Sequence, residues 1–253
     1  MSEPIVRAAQ LVALGLDPTA RPASDPEYTE LVELFRDNPS FRANVNRIAD
    51  GLGLHVLDAT PTAGMLLGAA ADSPLAVSRA DLQDRLGWTS AKERMIYGVA
   101  FAGAAAWCFP NSQSVADSVS RPVHAQNVDR LIREHAKAVA AGETALEDEL
   151  SDAWQAYAAH KEIDLYQDRS ALKRGCTVKM CDLVLSALAS YGMLAPARVD
   201  DPPPYNLKVW RPTHRFRAHV ARTGGPLAWQ TLAHSPVPDR VHAQQGGEQE
   251  DDR

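Results

Sequence analysis

The chain has 253 residues, 45% of them apolar and 6% aromatic, with a formal net charge of -6. That length holds two modest domains and that apolar share is ordinary for a folded protein, so a disordered chain is excluded. An acidic total also argues against a protein that coats nucleic acid uniformly, and it turns attention to where the charges lie.

The first predicted helix spans about Pro4 to Gly15, with Ile5, Ala8, Ala9, Val12 and Leu16 at helical spacing. A turn-rich linker, Asp17 to Asp25, separates it from a second helix that opens with Pro26 and carries Leu31, Leu34 and Phe35 on one side. Asn38 caps a third helix, again with a proline just inside its start, which runs to Gly51 with Phe41, Val45, Ile48 and Leu52 on its buried stripe. After Gly53 the period changes to that of a strand. Leu54 and Val56, then Met65, Leu66 and Leu67, flank a turn of Thr60, Pro61, Thr62 and Gly64. A short helix near Arg79 to Leu86 follows.

The longest apolar run, Met95 to Pro110, is shorter than the roughly 18 residues of a membrane span, so it reads as a buried core helix. Ser90 and Glu93 have capping-box spacing at its start and Pro110 stops it. Residues 111–123 read as a linker, and Ala125 to Ala141 as an amphipathic helix ended by Gly142. Thr144 and Glu147 give a further capping box, opening an acidic helix to about His160. Tyr166 to Gly175 supplies a helix or helical turn and Thr177 to Tyr191 a strong helix with Gly192 as its stop. Met193 to Val199 and Leu207 to Arg211 then form two strands around Asp200, Asp201 and three prolines. Thr213 caps a final basic helix to about Arg222, and residues 225–253, rich in Gly, Gln, Pro and acidic residues, are expected to be a disordered tail.

Helix, helix, hairpin is the order of a winged-helix domain, and it occurs twice. The expected fold is therefore mainly α with small β-hairpins: a winged-helix module over 1–110, connecting helices over 111–160, a second winged-helix module over 161–223 and a tail over 224–253. Residues Met1 to Pro4 lack a basic region and Arg7 and Gln10 interrupt the apolar stretch behind them, so no secretion signal is expected. Three cysteines, Cys108, Cys176 and Cys181, make no disulfide framework and suit a reducing cytoplasm.

No catalytic constellation is recognisable. Gly51 and Gly53 lack a third glycine at Rossmann spacing, and no phosphate-loop Gly-Lys-Ser/Thr, nucleophile elbow or zincin helix occurs. Cys176 and Cys181 are too far apart for a zinc knuckle, so neither metal nor cofactor is expected. His214 and His219 turn away from each other on a helix and would support phosphate contact or a plain surface.

Charge placement is more informative. From Arg169 to Arg222 ten basic residues, Arg169, Lys173, Arg174, Lys179, Arg198, Lys208, Arg211, Arg215, Arg217 and Arg222, face three acidic ones, Asp182, Asp200 and Asp201, a local balance of +7. Such a patch is the footprint of contact with DNA phosphates, although an acidic partner or plain solvation would use the same residues. A groove-reading helix should also offer Arg, Lys, Asn or Gln to base edges. The helix from Thr177 is instead apolar nearly all round, with a narrow polar stripe of Lys179, Asp182, Ser186 and Ser190, and so is built for packing. The third helix offers Arg42, Asn44, Asn46 and Arg47, as base or phosphate contacts or as an ordinary exposed face.

Over Glu27 to Arg222 the order of elements, with Leu34-Phe35-Arg36 before Phe41-Arg42 and a hairpin after Gly51-Leu52-Gly53-Leu54, resembles the kleisin-interacting tandem winged-helix family. These are accessory subunits of bacterial SMC condensins of the MukE and MksE type, including plasmid-restricting systems. The alanine-rich helix at Met95 and the long tail depart from that pattern. The resemblance implies a non-enzymatic, nucleoid-associated homodimer that grips a kleisin chain and contacts DNA, with the ATPase on another polypeptide. The alternative is a stand-alone winged-helix regulator that reads an operator through Arg42 and Asn46.

Overall fold

The computed structural model describes residues 3–70, 72–116, 121–141, 148–167 and 171–224. Arg169, the Thr144–Glu147 capping box, Gly142 and the expected tail after residue 224 lie outside them. The described part is mainly helical, with two small antiparallel hairpins.

The first unit contains α1 (Glu3–Leu16), α2 (Pro26–Asp37), α3 (Pro39–Gly51), β1 (Leu54–Thr60) and β2 (Gly64–Ala69). Asn38 caps α3 as the sequence predicts, and Asp25, read there as the end of the linker, caps α2. The Asp25 carboxylate accepts from the N–H groups of Glu27 and Tyr28, and the Asn38 side chain accepts from Phe41 N–H at 3.0 Å. Ala8, Leu11, Leu31, Val32, Phe41, Val45, Leu54, Met65 and Leu67 close one apolar core between the helices and the hairpin. Met65 N–H donates to the Tyr28 hydroxyl at 2.8 Å, which fastens the hairpin to α2. Gly64, at φ 79°, makes this possible, because a Cβ there would overlap the Tyr28 hydroxyl. A bulge at Leu57 breaks the register between Val56 and Asp58.

The second apolar cluster runs from Leu86 to Val220. It holds α4 (Arg79–Leu86), α5 (Ala91–Cys108), α6 (Ser112–Ala116), α7 (Ala125–Ala140), α8 (Asp148–Ala158), α9 (Thr177–Ser190), β3 (Leu194–Pro196), β4 (Trp210–Pro212) and α10 (His214–His219), with a π turn at Val220–Gly224. α5, grouped on the sequence with residues 1–110, gives its buried side to this second cluster. Ile96, Tyr97, Ala100 and Ala104 are enclosed, and Gly103 lets Ile132 of α7 approach closer than any Cβ would allow. Ser90 caps Glu93 N–H as expected, but the Glu93 carboxylate turns to the Thr89 N–H and hydroxyl, one residue before the cap.

A polar network ties α7, α8 and α9 together inside this core. Asp129, 1% exposed, accepts from the Tyr157 hydroxyl at 2.8 Å and from Arg133 Nε at 2.9 Å. Arg133 also donates to the Thr177 hydroxyl at 2.7 Å and to the His160 carbonyl at 3.0 Å. A buried carboxylate held this completely leaves no donor around it orphaned.

Three expectations are corrected. Among the described residues of Tyr166 to Gly175 there are turns and no helix: Leu165 and Leu172 pair as an antiparallel bridge, and of the described residues in the segment only Leu172 is buried, so no apolar stripe demands a helix. The second hairpin has three-residue strands, because Pro196 and Pro202 to Pro204 cannot donate to a ladder and Tyr205 and Asn206 turn with φ of 61° and 53°. The linker at 111–123 ends in structure: Val123 exchanges backbone hydrogen bonds with Trp210 at 2.8 and 2.9 Å, adding a third strand position beside β4.

Candidate functional site

The two units meet where the first hairpin faces the start of α10. His214 Nε2 lies 2.7 Å from Asp58 Oδ2, directly after the Leu57 bulge that re-aims the strand. Arg215 donates to the Gly15 carbonyl at 2.8 Å, and Arg222 to the Val56 carbonyl at 3.2 Å. Gly192 sits against Pro18 of the linker. β2 is consequently buried on both faces: Met65 and Leu67 fill the first core, and Leu66 faces the junction.

Beside these contacts lies a cleft of about 350 Å³ lined by Arg21, Thr62, Arg211, Thr213, His214 and Arg215, among others. Its lining contains no carboxylate. Arg215 is half-buried, and burial disfavours its charge; the neighbouring Arg21 adds repulsion, while Asp17 works in the opposite direction. Arg21 spends one nitrogen on the carbonyls of Pro18 and Ala20, at 2.8 and 2.7 Å. Arg211 is exposed on β4, and Lys208 lies over the Trp210 ring, 5.7 Å from its centroid. Guanidinium forks that line one cleft with no carboxylate in its walls are suited to take an oxyanion, above all a phosphate.

Around the other side of the junction runs an apolar groove of about 360 Å³, floored by Leu54, Leu67 and Met193 and bordered by Tyr191. Leu16, Leu75 and Val77 stand at its edge, 41%, 45% and 47% exposed. His219 lies on its wall. Burial first, and Arg215 second, pull the His219 pKa down, with a backbone hydrogen bond at Leu67 acting against them.

The structure thus brings Arg211 and Arg215 of the expected basic residues into one cleft and disperses others. Lys173 pairs with Asp164 at 3.4 Å. Arg174 donates to the Leu86 carbonyl and closes the end of α4. Arg217 has its Nε buried, and Arg222 serves the junction. Arg42 folds back on the end of α2, donating to the Phe35 carbonyl at 3.0 Å and to the Arg36 carbonyl, with its guanidinium over the Phe35 ring. Asn46 and Arg47 remain exposed on α3. α9 is enclosed: Val178, Met180, Cys181, Val184, Leu185 and Leu188 are buried, and Lys179 pairs with Asp182 at 2.7 Å.

Two residues of the junction were not singled out on the sequence. Arg21 looked like part of a turn-rich linker and Asp58 like an ordinary strand position; only their distance from β4 and α10 in space gives them a role. Among the described residues, no three His, Cys, Asp or Glu side chains converge as metal ligands. All three cysteines are buried, and burial pushes the Cys108 thiol up to about 12, far from the thiolate a nucleophile needs. No described helix is long and apolar enough to cross a membrane. No family model, curated protein or solved structure matches the chain.

Proposed function

We propose that this chain is a non-enzymatic scaffold that holds DNA through its phosphates, built from two winged-helix modules and serving, as the resemblance implies, in an SMC-kleisin complex at the nucleoid. The observation that carries it is the carboxylate-free cleft where Arg21, Arg211 and Arg215 converge. Phosphate contact of this kind positions a duplex without reading its sequence. The winged-helix reading draws support from the helices that precede each hairpin and from Val123, which supplies beside β4 the third short strand such a module carries. Enclosure of α9 favours a holding role over groove reading by that helix. The apolar groove at Leu16, Leu75 and Val77 is the surface assigned to a partner segment or to a second copy.

Charge reversal at the two exposed positions tests the reading. Lys208→Glu with Arg211→Glu is expected to weaken binding of unrelated duplexes alike, about tenfold or more at 0.1 M salt, and to reduce the slope of log affinity against log salt by about 2. Unchanged affinity and slope in fluorescence anisotropy would remove the cleft from the DNA surface. A stand-alone regulator, expected to read through Arg42 and Asn46, would rest on Asn46 with its exposed neighbour Arg47, because Arg42 is engaged with the end of α2. A defined footprint upstream of the chain's own gene, lost in Asn46→Ala, would favour that second reading.

A further inference from the structure

We infer that a phosphate in the cleft is held by both modules at once, with Arg21 as its ligand from the first and Arg211 and Arg215 as its ligands from the second, so that binding clamps the modules together. The inference rests on the cleft being a phosphate site and goes further by naming what occupation does to the molecule.

Arg21 lies before α2, on the first unit, while Arg211 and Arg215 flank the end of β4 and the first turn of α10 on the second. With the described residues, Arg21 bonds only through Nη1, and Arg215 only through Nη2 to Gly15. The Arg211 side chain, projecting from β4, makes no hydrogen bond or ion pair with any of them. Donors are therefore available from both walls. Arg21 itself disfavours the charge on Arg215, although Tyr28 and Asp17 of the same unit act the other way, and Asp58, in the adjoining junction, already engages His214. A phosphate between Arg21 and the pair Arg211 and Arg215 adds charge-assisted hydrogen bonds from both walls and offsets the repulsion between the guanidinium groups themselves. Its binding free energy then adds to the cohesion of the two units, as for any ligand that prefers one state.

The source of the phosphate can be a nucleic-acid backbone or a free oligophosphate, and two probes separate these. Binding of a labelled 30-base-pair duplex of arbitrary sequence reports the first, and the rise in Tm with pyrophosphate reports the second. Arg21→Ala and Arg211→Ala are compared with Arg79→Ala, an exposed control on α4, and Arg21→Lys guards against a loosened linker by keeping the charge. The expected result is a fall in duplex affinity of about fivefold to tenfold for each cleft variant, a smaller fall for Arg21→Lys, and none for the control. For the wild type, pyrophosphate at about 100 times its Kd should raise Tm by about 5–10 °C, and either cleft variant should abolish the rise.

If Arg211→Ala loses both responses while Arg21→Ala keeps them, the bridge is overturned and DNA contact by the second module stands. If the duplex does not bind but pyrophosphate stabilises through both arginines, the bridge stands and the DNA reading fails. If neither variant changes either response, or neither probe acts on the wild type, the bridge fails as well.

Discussion

The helices that precede the two hairpins, α3 and α9, have nearly the same length and play opposite parts. α3 buries Phe41, Val45 and Ala49 and leaves Asn46 and Arg47 in solvent. α9 buries eight of its fourteen residues, because α5 and α7 pack against it and α4 meets it near the end. The same local order of elements therefore yields a helix free to meet a ligand in one unit and a core helix in the other. What differs is the company each keeps: two helices surround α3, whereas the second unit adds α4, α5 and α8 around α7 and α9. A hairpin after a pair of helices does not by itself mark its helix as a reader of DNA.

The comparison predicts that disruption is costliest in the second unit. Asp129→Ala removes the acceptor shared by Tyr157 and Arg133 and leaves the half-enclosed guanidinium only the more exposed Glu162, 3.8 Å away, an expected loss of about 3 kcal/mol in denaturant unfolding. The first unit's ion pair, Arg7 with Glu30, is open to solvent, and Arg7→Ala should cost no more than about 1 kcal/mol. Equal effects would break the contrast between a polar-knotted second core and an apolar first one.

In the first unit the corresponding weak point is the hairpin anchor. Tyr28→Phe leaves the buried Met65 N–H without an acceptor, an expected cost of about 1–3 kcal/mol, with amide exchange at Met65 accelerated beyond that at Leu185. Unaltered exchange at Met65 would show that the hairpin holds without α2.

The smallest expected effect is one of pH. Burial is the leading reason that the pKa values of His124 and His219 are pulled down, so the unfolded chain takes up these protons first. Their contribution is complete above the ordinary histidine value of 6.5 and is lost as pH falls through their lowered folded values. Tm should therefore drop between pH 7.5 and 5.5, and His219→Gln should flatten the drop. A profile in which His219→Gln changes nothing would place the sensitivity elsewhere.

Much of the architecture was legible because local chemistry marks it. Asn38, Ser90 and Thr213 cap the helices they precede, and proline in the first turn or just beyond the end fixes boundaries. The apolar run at Met95 is a buried helix, as its length predicts. Errors gathered where signals were ambiguous or non-local. Val123 looked like linker because one strand residue has no period, and the strands of the second hairpin were overextended because alternation continues past the prolines that end the ladder.

The candidate site was less legible. Counting basic residues between 169 and 222 could locate a positive region, but it could not say that Arg174 closes a helix end, that Lys173 pairs with Asp164, or that Arg222 reaches Val56. Charge in a sequence is additive; charge in a fold is divided between internal partners and solvent.

The sequence by itself determined where helices start and stop, that two hairpins follow helices, and that α9 is too apolar to face water, because caps, turns and periodicity act within a few residues. Tertiary structure alone decided that Arg21 joins Arg211 and Arg215, that Asp58 meets His214, and that α5 belongs with α7 and α9. Those pairings depend on how two packed units lie against each other, and no short-range propensity encodes a contact across 156 residues of chain.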